Sequence, residues 1–303
     1  MRWDNWQDTP LPIETPTAQN PPDGIQIDYF LKAPLAAGAS ISIRDARGNL
    51  VRTYTGVSAE PDLPPPNVPE YWFATPTTVE NTPGLHRLVW DLRYPSPRTL
   101  PASYYGPILQ YTEYTLADHA IPHETPRQQP QGPLVVPGIY TIEFTAGGQT
   151  FRQPLTVDLD PRVHASQPDL EAQLTLAQRI LAGIGVSYSQ YQDVKALSAA
   201  VEEKKTSQSK DTADIDKQIK AIEEGTKEAP GFGAINRDLT RLLEGVEMGD
   251  QHPTEPQIQA VNEQCDALTK ATDLWRVLNE NLATQNPLDL PVHRALPTAG
   301  CAQ

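Results

Sequence analysis

No run of about 18 apolar residues occurs in the chain, so no segment of it reads as a membrane-spanning helix. Basic residues are scarce: 24 Lys and Arg stand against 38 Asp and Glu, a net charge of -14. Binding to a nucleic-acid backbone or to an anionic membrane needs a basic surface, so composition argues against both. Two cysteines in 303 residues exclude a disulfide-rich scaffold and a cysteine-only zinc site within one chain. The opening Met1-Arg2-Trp3-Asp4-Asn5 has no apolar stretch of the signal-peptide kind, so the chain expressed as it stands would stay cytoplasmic. No phosphate loop, G-x-S-x-G elbow, H-E-x-x-H or C-x-x-C motif occurs. No catalytic, cofactor-binding or metal-binding residue is assigned.

What the chain has in excess is proline, 31 residues, about twice the usual share. Residues 1–160 hold 23 of them and residues 161–303 hold 8. Lysine divides the other way, with Lys32 alone before residue 160 and eight after it. Proline suits loops and strand edges and breaks helix interiors, whereas lysine suits exposed helix faces. The first half is therefore expected to be β and the second α.

In the first half Ile25, Ile27 and Tyr29 alternate with Gln26 and Asp28, the period of a half-buried strand. Ile41 and Ile43 repeat it, and Asp45-Ala46-Arg47-Gly48-Asn49 forms a turn into Leu50-Val51-Arg52-Thr53-Tyr54. His86, Leu88, Trp90 and Leu92 form the expected core face of a later strand, opposite Leu85, Arg87, Val89 and Asp91. Gly147-Gly148, flanked by 138–144 and 151–157, predicts a hairpin. Five or more short strands without a helical pattern indicate a β-sandwich. Two proline-rich stretches, 57–83 and 95–137, interrupt it.

The second half reads as helices. Ser166 is a candidate N-cap, followed by Leu170, Leu174, Ala177, Leu181, Ile184, Tyr188, Tyr191, Val194 and Val201 as one stripe, with a kink allowed at Gly183-Ile184-Gly185. Asp211 is placed as cap of a helix carrying Ile215, Ile219 and Ile222, stopped by Pro230-Gly231. Ile235, Leu239, Leu242 and Val246 mark a third. Thr254 caps a fourth with Ile258, Val261, Cys265, Leu268, Trp275, Leu278 and Leu282, ended by Asn286-Pro287. Short connections favour an antiparallel bundle. The division is an extended arm over 1–23, a β-sandwich over 24–160, a helical bundle over 161–290 and an extended tail over 291–303, with the boundary at Asp160-Pro161-Arg162.

Interaction candidates are aromatic. Tyr104, Tyr105, Tyr111 and Tyr114 lie in the 95–137 stretch, where they either tie the loop down or present a docking surface. Tyr71, Trp72 and Phe73 sit together, as a hydrophobic plug or as a platform for a sugar ring. Trp3 and Trp6 lie in an arm with Pro10, Pro12, Pro16, Pro21 and Pro22, which cannot be helical; they pack within the chain or mark a protein contact. His119 and His123, with Asp118 and Glu124, have helical ligand spacing, but Pro122 between them argues for solvated loop histidines. Glu202-Glu203 and Glu223-Glu224 are adjacent, as on solvated helix faces. Cys265 fits an apolar stripe, and pairing it with Cys301 requires an oxidising compartment and a tail that folds back.

Ile43-Arg44-Asp45-Ala46-Arg47-Gly48-Asn49-Leu50-Val51-Arg52, Gly84 to Pro95 with its Trp90-Asp91, and Val136-Pro137-Gly138-Ile139-Tyr140 together resemble the immunoglobulin-like domain of the flagellar hook-capping protein and its extracellular relatives. Met1 to Asn5 through Thr15-Pro16, Asn20 to Gly24, Ile27-Asp28-Tyr29 and Asp160-Pro161-Arg162-Val163 are similar to the C-terminal region of bacterial sortilin-type proteins with neuraminidase (BNR) repeats, often labelled sialidase-like glycosyl hydrolases. The resemblance implies an Ig-like or fibronectin-like antiparallel β-sandwich followed by an antiparallel α-helical bundle, an α+β multidomain chain. It also implies a β-propeller preceding it, in cis or from an adjacent reading frame, and a periplasmic or extracellular setting. The propeller's S-x-D-x-G-x-T-W repeat occurs nowhere here, so any hydrolase chemistry would belong to the propeller. The expected role is a non-catalytic accessory or docking region with no cofactor. The alternatives are a carbohydrate-binding accessory module and, third, a hydrolase in its own right.

Overall fold

The computed structural model describes residues 14–16, 22, 24–35, 38–57, 69–100, 130–204, 210–286 and 289–301. It is a mixed α and β chain with two antiparallel sheets and four helices among those residues. Two compact units emerge: Met1–Ser96 with Ser103–Leu174, and Pro97–Ala102 with Thr175–Gln303. The expected boundary at 160–161 therefore shifts in two places. The β unit takes in the first turns of the first helix, where the Gln167 side chain donates to the Pro137 carbonyl at 3.0 Å. The helical unit takes in residues 97–102, whose Leu100 is buried and whose Leu100 N–H donates to Asn236 Oδ1 at 2.8 Å.

In the β unit, β1 (Ile25–Leu31) pairs with β4 (Gly84–Trp90), Ile25 facing Trp90 and Leu31 facing Gly84. The second sheet runs β3 (Leu50–Thr55), β2 (Ala39–Asp45), β5 (Gly138–Ala146), β6 (Gln149–Val157). The β2–β3 turn is held by the Asp45 carboxylate, which accepts from the backbone N–H groups of Arg47 and Asn49 at 2.9 and 2.8 Å. Gly147 and Gly148 close the β5–β6 hairpin at φ 55° and 77°, a region that side chains avoid. Pro154 sits opposite Thr141 in β6, a strand with one neighbour among the described residues, where a missing N–H costs the ladder nothing.

Alternation puts one face of each sheet into a common core of Ile27, Tyr29, Leu31, Ile41, Ile43, Val51, Tyr54, Leu88, Trp90 and Tyr140. Trp90 is wholly buried. Its indole N–H donates to the Arg93 carbonyl at 3.2 Å and its ring meets Tyr140 edge-on at 5.7 Å. The Tyr140 hydroxyl donates to the Val136 carbonyl at 2.6 Å. At Asp160, the backbone N–H and guanidinium of Arg162 grip the carboxylate and hold it far below the usual carboxylate range.

The helical unit contains α1 (Gln167–Lys204), α2 (Lys210–Glu223), α3 (Phe232–Glu247) and α4 (Glu255–Thr284). α1 is one unbroken helix of 38 residues, with Gly183 and Gly185 inside it. α2 starts at Lys210, so Asp211 lies in its first turn and is not its cap. α4 is capped as read: the Thr254 hydroxyl accepts from the Gln257 N–H and the Gln257 side chain returns to the Thr254 N–H. Contacts fix the directions. Glu223 at the end of α2 lies beside Lys195, and Asn236 and Leu239 of α3 lie beside Ile184 and Gly183, so α2 and α3 run back along α1 in succession. α4 then advances with α1, since Arg179 meets Asn262 and Gln190 meets Thr272. The core gathers Ile180, Ile184, Val194, Leu197, Phe232, Ile235, Leu239, Leu268 and Trp275. On α1 it runs through Leu176, Ile180 and Leu197, while Leu174, Leu181 and Tyr188 are only half-buried.

Candidate interaction sites

Of the aromatic candidates, Tyr71, Trp72 and Phe73 fall in the described residues. They form a single 3-10 turn, Glu70–Trp72 and its following residue, with the Trp72 N–H donating to the Pro69 carbonyl. Phe73 is buried, and Tyr71 and Trp72 are half-buried. The indole Nε1 of Trp72 is shut away from solvent without a hydrogen-bond acceptor among the described residues. Trp3, Trp6, Tyr104, Tyr105, Tyr111 and Tyr114 lie outside the described residues, as do Asp118, His119, His123 and Glu124. No group of three or more His, Cys, Asp or Glu side chains able to hold a metal ion occurs among the described residues.

The β unit instead exposes a surface that sequence reasoning did not single out. Phe30 and Leu85 face each other across β1 and β4 on the outer side of the sheet, 61% and 74% exposed. Beside them the next outward pair, Asp28 and Arg87, forms a two-pronged ion pair at 2.7 and 2.8 Å. The Arg87 hydrogen bond holds the Asp28 carboxyl below its ordinary value, but both groups are too exposed for the pair to add much stability. The signal was present: Phe30 stands out of phase with Ile25, Ile27 and Tyr29 and therefore had to point outward.

The inner face carries a titration. Burial pushes the Tyr54 hydroxyl up to about 12, with the Asp91 charge adding to the shift and Arg52, over the ring at 5.2 Å, opposing it. Tyr140 is raised further for the same first reason, burial. A folded-state value above the unfolded one near 10 means that this stability is complete below pH 10 and is lost as pH rises through 12. The β unit should therefore unfold cooperatively in that alkaline window, with the last part of the phenolate absorbance near 295 nm (the wavelength of the ionised ring) appearing together with loss of sheet signal. Tyr54→Phe should shift the midpoint upward. Phenolate absorbance complete near pH 10 with the sheet intact would contradict the burial of both hydroxyls.

In the helical unit Cys265 and Cys301 are joined by a disulfide, resolving a pairing that the sequence left open. The tail 289–301 folds back over α1 and α4. The His293 N–H donates to Asn279 Oδ1 at 2.6 Å and the Leu296 N–H to Gln190 Oε1 at 3.2 Å. The Cys301 carbonyl accepts from Arg179 Nε and Nη2 at 3.1 and 3.0 Å. Leu290 and Cys301 are buried at either end. A Cβ on Gly183 would lie 2.7 Å from Cys301 Sγ, so this glycine serves close approach and not the kink that the sequence allowed.

No family model, curated protein or solved structure matches the chain. The residues that sequence reasoning missed here are Gln190, Asn236 and Asn279. Their signal is a polar residue on a helix face that is otherwise apolar, and all three are buried. Such amides are bound to find hydrogen-bond partners, and each does.

Proposed function

We propose that this chain is a non-catalytic accessory region that docks a β-propeller, supplied on the same polypeptide or from an adjacent reading frame, in an exported bacterial protein. In this reading the two sheets form an Ig-like or fibronectin-like sandwich and the helices an antiparallel bundle. The observation that carries the proposal is the Phe30–Leu85 pair. A cross-strand apolar centre flanked by an ion pair has the make-up of a protein interface, an apolar middle with a polar rim. It lies on the first strand after the arm that carries Trp3 and Trp6, the segment that the resemblance places next to the propeller. Export is supported by the Cys265–Cys301 disulfide, since such bonds persist in oxidising compartments. No helix among the described residues is long and apolar enough to cross a membrane.

The test is titration of the chain with a propeller of the resembled family. A partner that binds only the native state raises its melting temperature. Phe30→Ser with Leu85→Ser, both on an exposed face, should leave the free chain's melting within about 0.5 kcal/mol of its original stability. The same double substitution should weaken the propeller's effect at least tenfold. Unchanged melting and unchanged tryptophan fluorescence at saturating propeller would refute the docking.

A further inference from the structure

The β unit is lopsided. Among the described residues its larger sheet has four strands and its smaller one two, so the smaller covers only part of the larger. Tyr29 of β1 meets Phe144 of β5 at 5.0 Å, and Phe144 stacks on Phe151 of β6 at 6.4 Å. The far side of the larger sheet is reached from the end of β4, where Arg52 of β3 donates to the Tyr94 carbonyl at 3.0 Å. The free edge of β1 therefore looks toward β6, and β6 has no buried residue on either face. On its inner face Phe151 is 55% exposed, with Phe144 and Leu155 half-buried beside it. The strand edges differ as well. Pro154 blunts that of β6, and the Val79 N–H closes the end of β3 by donating to the Thr55 carbonyl at 2.8 Å. β1 has neither proline nor lysine and one neighbour among the described residues. An unblunted edge beside an uncovered apolar face is where one more strand fits.

We propose that the edge of β1 is a strand-docking site whose occupant is this chain's own residues 9–13, laid over Phe144, Phe151 and Leu155. The segment has the parity of an edge strand. Backbone groups of alternate residues point to opposite edges, so a strand with one neighbour tolerates proline at every second position. Pro10 and Pro12 take such positions, and Thr9, Leu11 and Ile13 between and around them keep the N–H groups that bond to β1. The same alternation sends Leu11 and Ile13 to one face, over the phenylalanines, and Pro10 and Pro12 to the other, beside Phe30. The chain has room to return. Residues 14–16 follow the segment as an exposed turn and bend, and Gly24 leads into β1 hard against Trp90. Its φ is 138°, and a Cβ there would lie 2.2 Å from the Trp90 carbonyl oxygen. A segment tethered this near to its site loses less entropy on docking than a free strand does. A second copy's β1 is the poorer occupant, because pairing about its centre sets Asp28 against Asp28. The assignment goes beyond the docking of a propeller and does not depend on it.

The experiment is residue-resolved hydrogen exchange of the full chain, without any partner, beside two variants that differ only in where a proline is placed. Alternate β1 amides bond to β4, and the other set points to the free edge. In the original chain both sets should be protected. Thr9→Pro removes an N–H on the β1 side and should speed exchange of the free-edge set at least tenfold, with the β4-bonded set unchanged. Asp8→Pro falls on the side turned away from β1 and should leave both sets as they were. As a second readout, the thiol of Phe151→Cys should react with a maleimide at least fivefold faster in the Thr9→Pro background than in the Asp8→Pro background. A free-edge set that exchanges at the unprotected rate in the original chain would overturn the site. Protection that neither proline disturbs would overturn the arm as its occupant, and equal effects of the two prolines would overturn the register. Protection that is lost on dilution, together with a dimer by sedimentation, would assign the strand to a second copy and overturn the intrachain reading.

Discussion

Replacing Trp90 with alanine should destabilise the β unit by about 3–5 kcal/mol, the cost of emptying a large buried aromatic site. The side chain is wholly buried among Ile27, Leu88, Tyr140 and their neighbours, so water cannot fill in for it without entering the core. Its removal also leaves the Arg93 carbonyl without the indole donor and Tyr140 without its edge-on partner at 5.7 Å. Leu85→Ala is the matched control. It lies five residues earlier on the same strand but points outward, 74% exposed, and should change stability by no more than about 0.5 kcal/mol. Because the chain has two units, urea unfolding should be followed by sheet-specific hydrogen exchange as well as by a global signal. A loss below about 1 kcal/mol for Trp90→Ala would show that the core does not close around this ring.

The face that Trp90 takes was legible because a strand has a period of two and one side of β4 is buried. The phase of Leu88 and Trp90 against Leu85 and Arg87 admits one solution, and the structure has it. The Gly147-Gly148 hairpin and the Thr254 cap were legible for a similar reason: each is a local rule with its residues in immediate sequence reach. α1 was harder. Its buried ridge passes through Gln173, Ser187 and Gln190, which carry no apolar signal, so the stripe drawn through Leu174, Leu181 and Tyr188 strayed by about one position. Helices α2 and α3, read as two separate members, act in succession as one return pass along α1.

The candidate sites were less legible than the fold. Leu100 in the helical unit depends on Asn236, 136 residues away, and no local pattern announces such a contact. Tyr71, Trp72 and Phe73 look alike in sequence as a plug or as a platform, and only burial separates the two. The groove for the tail needed Gln190, Asn279 and Gly183 together, from two helices and three sequence positions, and each alone reads as an ordinary helix residue. Phe30 is the exception, since its phase on β1 already placed it outside.

Removing the disulfide should cost the helical unit about 3–4 kcal/mol, by the entropy of the closed loop in the unfolded chain. Cys265 and Cys301 are 36 positions apart, which sets that figure, and both are buried, so the bond is not an exposed accessory. With alanine at both positions the unfolded chain regains the freedom of the loop, while the folded unit keeps Leu290 and the contacts of the tail backbone with Asn279 and Gln190 as weaker tethers. The comparison that isolates the covalent term is denaturant unfolding of the original chain with and without a dithiol reductant, beside the double variant under both conditions. Reductant should lower the helical unit of the original chain to near the variant's stability, leave the variant where it was, and leave the β-unit transition unmoved, because no cysteine lies in it. Identical curves for the original chain with and without reductant, with thiol counting to show that the bond had opened, would contradict a stabilising role for the bond. A drop shared by the β unit would show instead that the two units unfold as one.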